Sequence, residues 1–339
     1  MRLMQARGPV SEGVFARMLR GPAEGVLEVP LRVDQDAETI LNDDDLQIAL
    51  WGMYELHYRG FSDVDDRMEW DPQLIAVRGR LETALERAVR ELVGPFVSRA
   101  EEQTETFQAA LEHVIQEVDG PSVAVFLQRE ATTDQYREFL MLRSLYHLKE
   151  SDPQVWALPR LTGGAKVALA ELQYDEFGAG SADRLHQTLF ARTLRGADLD
   201  DEYGAYVELT PAATLANNNV MSLFGLHRRL RGAAMGHLAA FETTSSLPCR
   251  KYAQGAERLG FNGEVTHYFE EHVEADAVHE HVAQRAICGA MVAEDPILAN
   301  DILLGAAACV HVGNLEGSQL ISAWKVGGSA LRQTEGVAA

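Results

Sequence analysis

The stretch Tyr268-Phe-Glu-Glu-His272-Val-Glu-Ala-Asp276-Ala-Val-His279-Glu-His281 decides how the rest of the chain is read. His272, Asp276 and His279 are spaced i, i+4 and i+7, so on an α-helix their side chains project from one face. Two imidazoles and a carboxylate together suit iron, manganese or zinc far better than magnesium or calcium. His281 falls on another face and stays outside the set. A solvated acidic helix with incidental histidines has the same spacing, so the question becomes which other groups could complete a metal site facing this helix.

The totals narrow the field. The chain has 339 residues, 46% hydrophobic and 24% charged, which fits a soluble helical domain. A formal net charge of −21 argues against nucleic acid and anionic membrane as partners, since both require a basic face. Cys249, Cys288 and Cys309 form no CxxC pair, which argues against a disulfide framework and a thiolate zinc site. No apolar run reaches the roughly 18 residues of a membrane span. The start is not signal-like, and the sequence reads as cytoplasmic.

Boundaries marked by proline and glycine fall at helical lengths, and no alternating strand pattern interrupts them. A poorly ordered tip precedes one short helix at 11–20. One helix is predicted over 36–60, where Ile40, Leu41, Leu46, Leu50, Met53 and Leu56 recur at threes and fours. Glu55 and His57, two apart, point to different faces and read as a packing pair rather than ligands. Asp71-Pro72 caps a helix that Gly94-Pro95 ends, and another runs from 96 to 118. One or two helices fill 122–150, and 163–177 is helical. Ser181 or Asp183 caps a helix through Arg195 that places His186 one or two turns in. A helix over 215–244 contains Gly225, Gly232 and Gly236, which imply close approach of a neighbour or a helix that can loosen. Ser245 to Pro248 restart the chain. The His272 helix runs to about 292, and a last helix covers 296–326. The pattern is all-α.

Two acids lie where a lone carboxylate is expensive. Glu242 follows the apolar Leu238-Ala-Ala-Phe241, and Glu150 ends an apolar-faced helix. Leu148-Lys-Glu150-Ser-Asp-Pro153, Glu171-Leu-Gln-Tyr-Asp-Glu176-Phe-Gly-Ala-Gly180 with His186, Phe241-Glu242-Thr-Thr-Ser-Ser246 and the His272 stretch together resemble the motifs of haem-oxygenase-like diiron oxidases and oxygenases, closest to their N-oxygenating branch. Asp43-Asp-Asp-Leu-Gln47 and Tyr54 to Gly60 resemble the N-terminal part of such proteins. The resemblance implies a bundle of about seven core helices with extra N-terminal helices, divided as an extension at 1–110 and a diiron domain at 111–339. It also implies that Glu150, His186, Glu242, His272, Asp276 and His279 hold two iron ions. Glu176 would be an additional metal-binding and catalytic carboxylate, a place that its neighbour Asp175 could also take.

The implied activity is that of a non-haem diiron oxygenase. It would use O2 through a peroxo-diferric intermediate, without haem, to oxidise a small molecule, an amine or amino acid, at nitrogen. An external electron donor and a homodimer belong to the same expectation. Oxidative C–C cleavage or decarboxylation of an amino or fatty acid is the runner-up, ahead of a cofactorless oxidase or a non-catalytic metal-binding helical protein. His227, His237 and His267 read as surface or packing residues and His311 as a core histidine. Arg228-Arg-Leu-Arg231 reads as a solvated face that could also meet a substrate carboxylate.

Overall fold

Acidic and hydroxyl caps set many of the helix starts. Asp36 accepts from Thr39 N, Asp43 from Asp45 N and Leu46 N, Asp71 from Gln73 N and Leu74 N, and Thr132 forms a capping box with Gln135. A computed structural model describes residues 1–22, 25–117 and 120–333, the side chains of 274–278 excepted. Its helices are α1 (Pro9–Arg20), α2 (Ala37–Asn42), α3 (Asp44–Glu55), α4 (Pro72–Gln103), α5 (Phe107–Gln116), α6 (Val123–Arg129), α7 (Thr133–His147), α8 (Asp152–Val155), α9 (Gly163–Glu176), α10 (His186–Gly196), α11 (Ala212–Leu226), α12 (Arg231–Leu259), α13 (Gly263–His281), α14 (Ala290–Glu294) and α15 (Leu298–Lys325). Among the described residues there is no strand, so the fold is all-α as the sequence implies.

Several boundaries differ from the sequence reading. The N-terminal tip is packed: Met4 is buried, and the Arg7 guanidinium reaches Asp44 and the Val207 and Thr210 carbonyls. Asp43, in extended conformation, divides the helix expected over 36–60 into α2 and α3. Gly94-Pro95 does not end α4. The Pro95 ring is exposed, and buried Val93 and Val97 hold both flanking turns in the core. Pro248 likewise lies inside α12, below turns where Thr243 and Thr244 donate their hydroxyls to the Ala239 and Ala240 carbonyls. The break falls earlier, at His227, where Arg160 covers the last carbonyls of α11 at Gly225 and Leu226. A π-helical stretch, Val282–Gly289, continues α13.

Two apolar clusters organise these helices around α12 and α15. One joins α1–α5 to α11 and to the first halves of α12 and α15; the other gathers α6, α7, α10, α13 and the second halves. α15 is long and apolar enough to cross a membrane, but 61% of its most apolar window is buried in the bundle. The pinch between α12 and α15 explains the glycines. A Cβ on Gly236 would sit 1.8 Å from the Ile302 carbonyl oxygen, and one on Gly305 would sit 1.9 Å from that of Ala233. Close approach is therefore what these small residues provide.

Candidate metal centre

Each candidate side chain enters the bundle from an element end or an inward face. Glu150 follows the last turn of α7, where Ser151 at φ 67° turns the chain. Glu176 closes α9. The turn after it needs glycine: Gly178 has φ 76°, and a Cβ there would meet Leu185 N at 2.6 Å. This tight return brings His186, the first residue of α10 rather than a residue one or two turns in, back against Glu176. Glu242 projects from α12, and His272 and His279 from α13. All six are at most 5% exposed.

Their donor atoms converge in two overlapping groups. Glu150, Glu176, His186 and His272 have ligand atoms all within 4.8 Å of one another, and so do Glu176, Glu242 and His279. Glu176 Oε2 lies 3.0 Å from His186 Nδ1, and its Oε1 lies 3.4 Å from His279 Nδ1, which is also 3.4 Å from Glu242 Oε2. Asp276 belongs to the same helix, but its side chain lies outside the described residues. Asp175 is half exposed and reaches His279 at 3.5 Å from outside the cluster. His281 is exposed.

Burial works against charge on all three acids. At Glu150, His147 and His272 outweigh it and hold the carboxyl well below the usual range. His186 does the same for Glu176, which is lowered. At Glu242 burial prevails, His279 offsets it only in part, and nearby Glu176 adds to the rise. Among the described residues no lysine or arginine lies within ion-pair distance of these acids; the buried Lys149 instead pairs with Glu55 at 3.4 Å. Three buried carboxylates among imidazoles, without a side-chain cation of their own, form a donor set suited to divalent iron.

Two residues beside the cluster escaped the sequence reading. The Tyr268 hydroxyl lies 2.9 and 2.7 Å from the two Glu150 oxygens and 2.7 Å from His147 Nδ1. His147 Nδ1 is itself 3.0 Å from Glu150 Oε1. Both were legible as spacing: His147 is three residues before Glu150, and Tyr268 is four before His272. His272 Nδ1 donates to the Tyr268 carbonyl at 2.7 Å, which turns its Nε2 toward Glu150, 3.7 Å away.

A cavity of about 340 Å3 adjoins the cluster, with Glu150, His147 and His272 on its wall beside Tyr146, Phe241 and Tyr268. His237 also lines it; burial pushes this imidazole down to about 4, so it is a neutral cavity residue rather than a surface one. His227 pairs with Glu82, His267 is exposed, and His311 stacks on Phe96 at 3.5 Å. Arg229 and Arg231 pair with Glu86 and Asp295 on the surface, and none of Arg228, Arg229 and Arg231 lines the cavity.

Comparison with known proteins agrees with the chemistry of the donor set. A family model described as iron-containing redox enzyme matches residues 137–314, more than half of the chain. A nitrosourea synthase from Streptomyces achromogenes subsp. streptozoticus is 31% identical over 148 residues, 43% of this chain. The match spans 31% of that relative's length.

Proposed function

Because the chain belongs to the iron-containing redox enzyme family, we propose that it is an O2-dependent oxygenase that holds two iron ions and oxidises the nitrogen of a small amine. One observation carries the reading: the two donor groups overlap at Glu176. A carboxylate placed between two clusters is what a pair of neighbouring ions requires. Glu150, His186 and His272 would hold one ion, Glu242 and His279 the other, with Glu176 common to both. Asp276 is proposed as a further ligand from its place on the α13 face. The partial relative is named for making a nitrosourea, which supports nitrogen as the atom oxidised.

Ferrous iron held there would supply the electrons that activate O2. The chain's own groups prepare the site. His272 donates through Nδ1 to a backbone carbonyl, which leaves Nε2 as the ligand atom. Tyr268 and His147 fix the orientation of Glu150, and Ser151 Oγ donates to Glu176 at 3.2 Å. Tyr146, Phe241 and Tyr268 give the cavity an aromatic wall beside the cluster. An amine held against those rings is disfavoured as ammonium, so its nitrogen lone pair is free to react.

The test is metal analysis of the Fe(II)-loaded chain, followed by exposure to 18O2 with a panel of amines and mass spectrometry of the products. Two irons per chain and 18O on nitrogen are expected. Olefin or aldehyde products would move the reading to C–C cleavage, and a chain that holds no iron would overturn it. Glu176→Ala is expected to lower iron content more than Glu242→Ala, because only Glu176 belongs to both groups.

A further inference from the structure

The acid and imidazole cluster accounts for one end of the cavity; another part of its wall carries charge that the cluster does not use. Phe139, Arg143 and His147 recur every four residues along α7 and line the cavity, with Glu150 one turn further on. Seven positions separate Arg143 from Glu150, about 10 Å at helical rise. The Arg143 guanidinium lies 5.5 Å from the Phe139 ring centre and shares the cavity wall with Tyr252. Glu316 on the same wall acts on this charge through space, and among the described residues no carboxylate comes within ion-pair distance of it. A guanidinium presents five N–H donors in a flat fork and remains charged, and that of Arg143 stands on the cavity wall.

Glu316 stands on the wall contributed by α15. Its two oxygens are held by donors from α11, Thr214 Oγ1 and Asn217 Nδ2, each at 2.8 Å. This carboxylate is thus positioned, buried and without a cation at ion-pair distance among the described residues. Two further wall residues present buried polar atoms with no hydrogen-bond partner among the described residues, Asn218 Oδ1 and Asn314 Nδ2. One fixed cation, one fixed anion, a spare acceptor and a spare donor thus share a cavity whose remaining wall is largely aromatic and aliphatic. Buried groups of this kind are stabilised only when a ligand or water meets them.

We propose that these residues form a head-group subsite for an α-amino acid, with its carboxylate on Arg143 and its ammonium on Glu316. The fork geometry of arginine selects a planar carboxylate over a point anion. The side chain then runs past Tyr146, Phe241 and Tyr268 to the cluster. This rests on the reading that a small molecule is oxidised at the cluster, and it narrows that molecule. With the α-ammonium held at Glu316, the nitrogen that reaches the cluster belongs to the side chain of the amino acid.

Isothermal titration calorimetry of the full chain, loaded with Fe(II) under argon so that no turnover occurs, tests the subsite. The probes are L-ornithine, L-lysine, L-arginine and L-4-aminophenylalanine, each beside its decarboxylated amine. At least one amino acid is expected to bind about 10- to 100-fold more tightly than its amine, the range of a hydrogen-bonded charge pair. Arg143→Gln should erase that difference, and Arg143→Lys, which keeps the charge without the fork, should restore part of it. Glu316→Gln should weaken the amino acid while leaving unchanged the matching carboxylic acid without the α-amino group, titrated beside it. Melting curves identify a variant that fails to fold, and Arg143→Lys then carries the test alone. Equal binding of amino acid and amine, no binding by any probe, or an undiminished preference in the Arg143 variants overturns the proposal. Iron content of the same samples separates the two readings: two irons without amino-acid preference sinks the subsite alone, whereas failure to hold iron sinks the reading of the cluster.

Discussion

Removing one oxygen atom tests whether Tyr268 holds Glu150 in place for a metal ion. In Tyr268→Phe the ring keeps its contacts with His147, Phe190 and His272, at 5.3, 5.0 and 4.2 Å between centres, so packing changes little. What disappears is a hydroxyl 2.7 Å from Glu150 Oε2, 2.9 Å from Oε1 and 2.7 Å from His147 Nδ1. A hydrogen bond to a charged acceptor contributes about 1.5–3 kcal/mol net. For a chain of 339 residues, about 2 kcal/mol lowers the melting temperature by roughly 3 °C. Loss of a group that orients a ligand typically lowers metal affinity about 10- to 100-fold. Thermal unfolding measures the first effect, and anaerobic Fe(II) competition against a chromophoric chelator measures the second. Lower stability with unchanged iron affinity would refute the reasoning, because the hydroxyl would then serve the fold alone.

The remaining predictions concern stability and read the same structure at other points. Gly236→Ala gains about 1 kcal/mol of helix propensity but drives a methyl into the Ile302 backbone, an overpacking that costs about 3 kcal/mol or more; urea unfolding should show a net loss of about 2 kcal/mol. Gly79→Ala, at an exposed position of α4 with nothing within 4 Å of the added carbon, should instead gain about 0.5–1 kcal/mol, and the same sign for both variants would be inconsistent with the geometry. Glu55→Gln leaves the Lys149 ammonium buried above the Tyr58 ring without its partner at 3.4 Å, a loss of about 3–5 kcal/mol by denaturant titration. Asp71 caps α4 and meets Arg17 at 2.5 Å; burial works against its charge, but Arg17 and the Leu74 amide outweigh it, and its pKa is lowered. A lowered carboxyl contributes stability that is fully present above about pH 4 and is lost as pH falls through the folded value, so Asp71→Ala should cost about 1–2 kcal/mol at neutral pH and progressively less below pH 4. An unchanged difference between pH 7 and pH 3 would contradict that sign.

The helical class and most element starts were legible because caps and apolar periodicity are local. Asp71-Pro72 and the run after Gly163 act within a turn or two. The misread boundaries depended on distant residues. Arg160 closes α11 from 65 and 66 positions away, and no local reading of Gly225-Leu-His227 contains it. Pro95 and Pro248 carry a local stop signal that tertiary packing overrides. The candidate ligands were legible for the same reason as the caps. His272 and His279 share a helix face, and Glu176 and His186 are joined by a glycine turn. Arg143, Glu316 and Asn218 drew no notice, because the cavity they line takes its wall from several helices and its pattern exists only after folding.

The cavity and the α12–α15 pinch are parts of one arrangement. The two helices run in the same direction, with Gly232 and Gly236 of one against Leu298 to Ile302 of the other. Backbones that touch at that point leave no room for side chains between them. Further along, the pair stops interlocking: Phe241 to Tyr252 on α12 and Cys309 to Leu320 on α15 line the cavity, between the two apolar clusters. α6 reaches the far end, where Gly255 meets the Leu127 carbonyl oxygen and Gly317 meets Val123. The void is therefore framed by close contacts at both ends rather than left by loose packing. Glu242 sits one to two turns beyond Gly236 on the same helix, so a shift that relieves a methyl at Gly236 must also move a cluster carboxylate. Loss of stability and loss of iron in Gly236→Ala should accordingly appear together, whereas Glu55→Gln, which strands the Lys149 charge in the turn after α7, next to Glu150, without touching the pinch, should alter the α12 side of the cluster least.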